Sequence, residues 1–378
     1  MDDQKKYSKG IFLILFFFAI VLGAALLKIT ASFTLPIIVA VLLSFVLYPM
    51  VKRLYTIGIP WIAGVLISVI FVLALCFAVG NLLYISSKAV LNVYPKYEEK
   101  FTQLFTMGAK LLNIPFDEDS SLGANLWKSL EVRNFVQDSA IAVSNFLISG
   151  AKVFFIVALL VVFLLIEMKN MTIKIKIAFP NNKLSHKIIF ISMKTITEVT
   201  HYLSIKFCIS LLTGLLVFAC CKIIGQDFAV IWGFIAFVLN FIPNFGSIFS
   251  WVITTIFALL QFYPDCEKVI FIAIAILLIN FTLGNVIEPR IEGSGLGISP
   301  FIILVSLSLW GYIWGFIGMV LAVPVLVIIK IICENIDMLK PVAIILGNSE
   351  SALLRRKNKN FKEFFKSFFR KPDQKSGQ

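Results

Sequence analysis

Uncharged or nearly uncharged apolar runs recur along this 378-residue chain, at about 11–27, 31–50, 61–83, 147–166, 207–221, 228–243, 245–262, 269–284, 300–313 and 315–329. A bilayer's hydrocarbon core takes roughly 20 apolar residues per helix. Every backbone N–H and C=O inside it must be paired, which leaves helices as the economical way for such runs to cross. With 59% hydrophobic residues, 15% charged residues and a mean hydropathy of +0.95, the chain is far more apolar than the ~45–50% of a soluble protein. The expectation is an all-α, polytopic integral membrane protein with about eight crossings. The shortest runs are candidates for half-membrane hairpins.

Charge orients the bundle. Residues 168–203 hold six lysines against Glu198 alone, whereas 84–146 hold six basic and seven acidic groups. The positive-inside rule then puts 168–203, Lys52, Arg53 and both termini in the cytoplasm, and 84–146 outside. The segment 351–378 has nine Lys or Arg against two acids. Within it Phe361, Phe364, Phe365, Phe368 and Phe369 share one helical face, so it reads either as a basic helix on an anionic membrane or as a solvated tail. The bilayer accounts for the net +13 charge, and nucleic-acid binding is not expected. The first apolar run follows Lys5, Lys6 and Lys9 but is long for a signal h-region, and it reads as a membrane helix.

The chain divides into N-terminal transmembrane helices (1–83), an extracytoplasmic amphipathic helical insertion (84–146), a transmembrane helix with a basic cytoplasmic segment (147–204), a core with two broken hairpins (205–340) and a basic tail (341–378). Pro36 and Pro49 are expected to bend or end the second helix. The six cysteines show no C-x-x-C or His pairing and read as small buried apolar residues. His186 and His201 have no ligand partner at useful spacing, and no cofactor is implied.

Two broken apolar regions carry the functional expectation. In IAFVLNFIPNFGSIFSWVITTIF the run is interrupted by Asn240, Pro243, Asn244, Gly246 and Ser247; in SLSLWGYIWGFIGMVLAVP it is broken by Gly311, Gly315 and Gly318, with Pro324 following. Paired interruptions of this kind point to a transporter's midplane site. The glycine spacing equally suits close helix packing. Trp232, Trp251, Trp310 and Trp314 read as interface anchors.

Between the two regions lies a polar group: Asn280, Asn285, Glu288, Pro289, Arg290 and Glu292, then Gly293, Gly295 and Gly297. Asn offers donors and an acceptor. Glu288 suits a cation or proton, and Arg290 an anion or polarised oxygen. The same residues also fit a cytoplasmic loop that caps helices. The glycines lack the strand and lysine of a nucleotide loop. No Ser/His, His/Glu or paired-Asp constellation stands at catalytic spacing, so an enzyme is not expected.

The order LNFIPNFGSI (239–248), NVIEPRIEGSGLGISPFIILVSL (285–307) and WGYIWGFIGMVLAVPVLVIIK (310–330) resembles the autoinducer-2 exporter (AI-2E) family of bacterial membrane transporters. The resemblance implies a multi-pass inner-membrane protein that exports the furanosyl signal autoinducer-2 or exchanges sodium or lithium for protons. It also implies a homo-oligomer with an elevator-like moving part. Many relatives place an aromatic residue at the position of Asn244. The expected partners are the lipid bilayer and a small polar solute or a monovalent cation and proton, with a pathway around Asn240, Asn244, Asn285, Glu288 and Arg290. The reading from another class is a non-transporting membrane scaffold that presents 84–146 and the tail.

Overall fold

The computed structural model describes residues 15, 18, 19, 21–111, 150, 152–243, 245–292 and 297–348. In chain order the helices are α1 (Ala31–Thr56), α2 (Trp61–Leu111), α3 (Lys152–Met168), α4 (Met171–Ala178), α5 (Asn182–Ile223), α6 (Ala229–Leu239), α7 (Phe245–Phe262) and α8 (Cys266–Phe281). A π-helical turn (Thr282–Ile287) then leads to α9 (Glu288–Glu292), α10 (Pro300–Asn335) and α11 (Lys340–Leu346). Among the described residues six helices are long and apolar enough to cross a membrane, or seven if the bent pair α3–α4 is one span. The chain is an all-α, multi-pass membrane protein. The start of the apolar run at 11–27 lies in part outside the described residues, and Ile114–Ser121, most of the expected insertion and the phenylalanine-rich tail lie outside them altogether.

Several elements run past the boundaries drawn from sequence. α2 continues through residue 84 to Leu111 as one helix. α1 continues through both Pro36 and Pro49. Proline at 49 removes the bond that the Phe45 carbonyl would accept, and the Thr200 hydroxyl of α5 supplies a replacement at 2.8 Å. Residues 341–348 do not trail away: Ser299 N–H donates to Leu346 O at 3.0 Å and Asn348 N–H to Gly297 O at 2.9 Å. The cysteines are free thiols, but Cys76, Cys208 and Cys266 are exposed, while Cys221 and Cys333 are buried. A thiol on a membrane helix is apolar enough to face lipid.

Three apolar groups organise the bundle. Ala40, Leu47, Val51, Val65, Val161 and Leu165 pack α1, α2 and α3 together. Val199, Tyr202, Leu326 and Val327 join α5 to the second half of α10. Val217, Trp232, Ala258, Ile272 and Ile276 join the far end of α5 to α6, α7 and α8. Its 42 residues make α5 the shared beam, at roughly 63 Å about twice the hydrocarbon thickness. Gly214 and Gly233 let α6 lie directly on it: a Cβ on Gly214 would fall 2.7 Å from the Gly233 carbonyl oxygen.

Both broken regions are hairpins. The first is α6 and α7, reversed at 240–246, where a Cβ on Gly246 would fall on the Leu239 carbonyl. The second lies inside α10, where Gly315 takes φ 63° and ψ −144°, a conformation that glycine alone adopts without strain. The Ser306 hydroxyl donates to Ala322 O at 3.2 Å; in a straight helix those residues would stand ~24 Å apart. A Cβ on Gly318 would fall on the Trp310 carbonyl, so the arms are in van der Waals contact.

The hairpins enter from opposite ends of α5. The base of the first is closed by Gln261, which accepts from Asp227 N–H at 2.7 Å and donates to Gly225 O at 2.9 Å. Tyr97 of α2 adds a hydrogen bond to Asp227 at 2.5 Å, and burial, then Asp227, pushes its phenol above the ordinary range. The base of the second is tied by Lys330 to Gly297 O at 2.8 Å and by a Lys194–Glu334 ion pair at 3.2 Å. The first tip packs on the arms of the second hairpin, where Ile242 meets Leu307 and Ala322. The tryptophans point inward: Trp251 donates to Ala273 O at 2.8 Å, Trp314 to Leu27 O at 3.2 Å, and Trp310 stacks on Trp314.

Gly246→Ala and Gly318→Ala are each expected to lower stability by ~1–3 kcal/mol or more. Gly23→Ala, with nothing within 4 Å of its Cβ, is the neutral control, and thermal unfolding in detergent reads all three. In a background with the native cysteines replaced, Ser306→Cys/Ala322→Cys is expected to cross-link on oxidation, giving a disulfide-linked peptide by mass spectrometry.

Candidate functional site

The tip of the first hairpin builds one wall of a cavity. Asn240 ends α6 and is buried; its amide donates to Ser210 Oγ of α5 at 3.1 Å, and its oxygen accepts from Ser247 Oγ at 3.1 Å. Asn280 of α8 donates to Ser247 O at 3.0 Å. These side chains tie the turn to α5 and α8, while its backbone is held by its own bonds, among them Ile242 N–H to Leu239 O at 2.9 Å and Gly246 N–H to Ile242 O at 3.2 Å.

The opposite wall comes from the π turn. A π turn inserts one extra residue, rotating the residues after it by roughly 100° relative to an uninterrupted helix. Beyond this turn, Glu288 faces α5 and pairs with Lys206 at 2.6 Å, their side chains only 13% and 5% exposed. The cavity between the walls has a volume of about 430 Å³. It is lined by Lys206, Asn240, Pro243, Ser247, Ile248, Trp251, Leu277, Asn280, Phe281, Gly284, Asn285, Glu288 and Pro289.

Of the residues expected from sequence, Asn240, Pro243, Asn280, Asn285, Glu288 and Pro289 are brought together here. Gly246 shapes the turn behind them. Arg290 is exposed on α9 and is not among the lining residues, because only two positions separate it from Glu288 and helical neighbours at that spacing face apart. Gly311, Gly315, Gly318 and Pro324 belong to the second hairpin and support the first tip from behind. Asn244 lies outside the described residues.

Lys206 is the residue that sequence reasoning missed. Its signal was present: a lone ammonium in IKFCISLLTGLLVFACC, two residues inside the apolar start of the core. An ionisable group in membrane sequence marks a pathway or a buried partner, and here the partner is Glu288.

The pair has unused bonding capacity. Lys206 carries three N–H donors and Glu288 two oxygens, and each uses one atom in their bond. The Asn285 side chain makes no hydrogen bond to another described residue. The cavity therefore offers donors, acceptors and no net charge, with Trp251 and Phe281 beside them. Removing one member strands a buried charge, at ~3–5 kcal/mol, whereas replacing both with apolar residues is often neutral. Lys206→Met alone is expected to destabilise strongly and Lys206→Met/Glu288→Leu to recover most of that loss, as read by detergent unfolding of both variants.

Comparison with known proteins agrees with this architecture. The chain matches the family described as "AI-2E family transporter" over residues 11–338. It is 29% identical to the "AI-2 transport protein TqsA" of Escherichia coli over 327 residues, 85% of this chain and 91% of that protein. It is likewise 29% identical to a "Putative transport protein" of Borreliella burgdorferi over 323 residues, 85% and 87% of the two chains. The "Putative transport protein YhhT" of Escherichia coli is 27% identical over 353 residues, 92% and 97% of the two chains. With a polar cavity beside a broken hairpin and a family match over nearly its whole length, this protein belongs to the AI-2E family of transporters.

Proposed function

We propose that the chain is a secondary transporter of a small, uncharged, polyhydroxylated solute, bound between the first hairpin tip and the Lys206–Glu288 pair. The observation that carries this reading is the set of unused donors and acceptors around a charge-compensated cavity. A hydroxylated solute satisfies such groups in both directions. A bare cation is served poorly, since the ammonium of Lys206 already neutralises the carboxylate at 2.6 Å.

Autoinducer-2 is the candidate solute, on the strength of the relative that bears that name. Positive-inside counting supports cytoplasmic termini in a bacterial inner membrane, and the family resemblance supports a homo-oligomer. No nucleotide loop appears in the sequence, so an ion gradient or downhill flow drives the movement. Alternating access then works by exposing the cavity first to one side and then to the other, with the hairpins, entering from opposite ends, as the elements that open and close it.

The test is reconstitution with labelled autoinducer-2 flux and sodium-dependent proton movement measured on the same vesicles. Saturable solute flux is expected, reduced at least ~10-fold by Glu288→Gln or Asn285→Ala, about 1.4 kcal/mol of lost interaction. Flux unchanged in both variants sinks the assignment of the cavity. Sodium/proton exchange without solute flux favours an antiporter instead.

A further inference from the structure

We propose that α4 lies flat on the membrane surface and binds anionic lipid headgroups. The helix follows the end of α3 after two residues and is turned from it by 64°, so it runs across the bundle rather than along it. None of its residues is buried. Ile173 and Ile177, one turn apart, form an outward ridge 59% and 74% exposed. At 100° per residue, Lys174 and Lys176 stand roughly 80° to either side of that ridge. An apolar ridge flanked on both sides by lysines suits a helix whose aliphatic face enters the bilayer while its ammonium groups reach headgroup phosphates.

Its depth is fixed independently. Trp61 donates to Leu165 O at 2.9 Å, and Tyr48 and Tyr55 meet Trp61 edge-on with ring centroids 6.0 and 5.7 Å away. The Lys169 ammonium sits 5.4 Å from the Tyr55 ring centroid. Tyr48 and Tyr55 towards the end of α1 and Trp61 at the start of α2 mark a membrane–water boundary, and α4 begins two residues beyond Lys169. The ridge therefore lies at the level where acyl chains give way to headgroups.

Charge names the partner. Lys52, Arg53, Lys169, Lys174, Lys176, Lys183 and Lys187 gather at this end of the bundle. Glu167 pairs with Lys174, and Asp337 with Lys187 at 3.9 Å. Lys176 and Lys183 form no ion pair with another described residue, which leaves their charge for an anionic surface. A soluble acidic protein would have no use for the exposed isoleucine ridge between them.

The experiment uses the full chain in nanodiscs, with native cysteines replaced and a fluorescent label at Ile177→Cys or at Asn182→Cys as the solvent-facing control. Lipids are phosphatidylcholine alone or with about one third phosphatidylglycerol, with brominated acyl chains or iodide as quenchers. The label at 177 is expected to be quenched by brominated lipid at least twofold more than that at 182. That difference should grow with phosphatidylglycerol, and Lys174→Gln/Lys176→Gln should abolish the growth. Equal iodide quenching at 177 and 182 would overturn the membrane contact. Lipid quenching that ignores phosphatidylglycerol would overturn the headgroup recognition.

Discussion

A polypeptide turning inside hydrocarbon must find a partner for each backbone group that leaves the helical ladder, and this requirement governs where the chain is able to turn. At the first hairpin the turn bonds to itself, Ile242 N–H to Leu239 O and Gly246 N–H to Ile242 O, while Ser210 and Ser247 hold the Asn240 side chain and Asn280 holds the Ser247 carbonyl. At the second, Ser306 of one arm reaches Ala322 O of the other. Even the proline at 49 is tolerated because Thr200 takes up the freed carbonyl of Phe45. These side-chain bonds cross between separate segments of the chain, so each turn or kink is tied to the bundle around it.

The cavity lies beside the first turn. Asn285 and the atoms of Lys206 and Glu288 outside their mutual bond line it. The π turn determines which of them face inward, because its extra residue brings Glu288 onto α5 and leaves Arg290 outside.

The two breaks were legible because only small or turn-forming residues permit them: Pro243 and Gly246 in one, Gly315 and Gly318 in the other. Asn240, Asn280, Asn285 and Glu288 stood out as polar residues beside apolar runs, and six of the expected pathway residues do line one cavity. Lys206 did not stand out, since a lysine near the edge of an apolar run looks like the end of a span. The π turn was equally hidden: TLGNVI has no composition that separates it from an α-helical turn. Nor does an i, i+2 pair such as Glu288 and Arg290 show from sequence alone which member faces a partner 82 residues away. The apolar span ends at Ser86, close to the boundary drawn at 84, but the helix itself runs on to Leu111, because a change from apolar to amphipathic spacing does not require a helix to stop.

The ion pair in the cavity wall also bears on energetics across the membrane. A unit charge carried through a potential of 100 mV exchanges ~2.3 kcal/mol with the field. Lys206 and Glu288, locked together at 2.6 Å, present opposite charges at nearly the same depth. A rearrangement that moves this wall relative to the bilayer displaces no net charge from them. The membrane voltage therefore does no net work on this pair when the wall moves as one body.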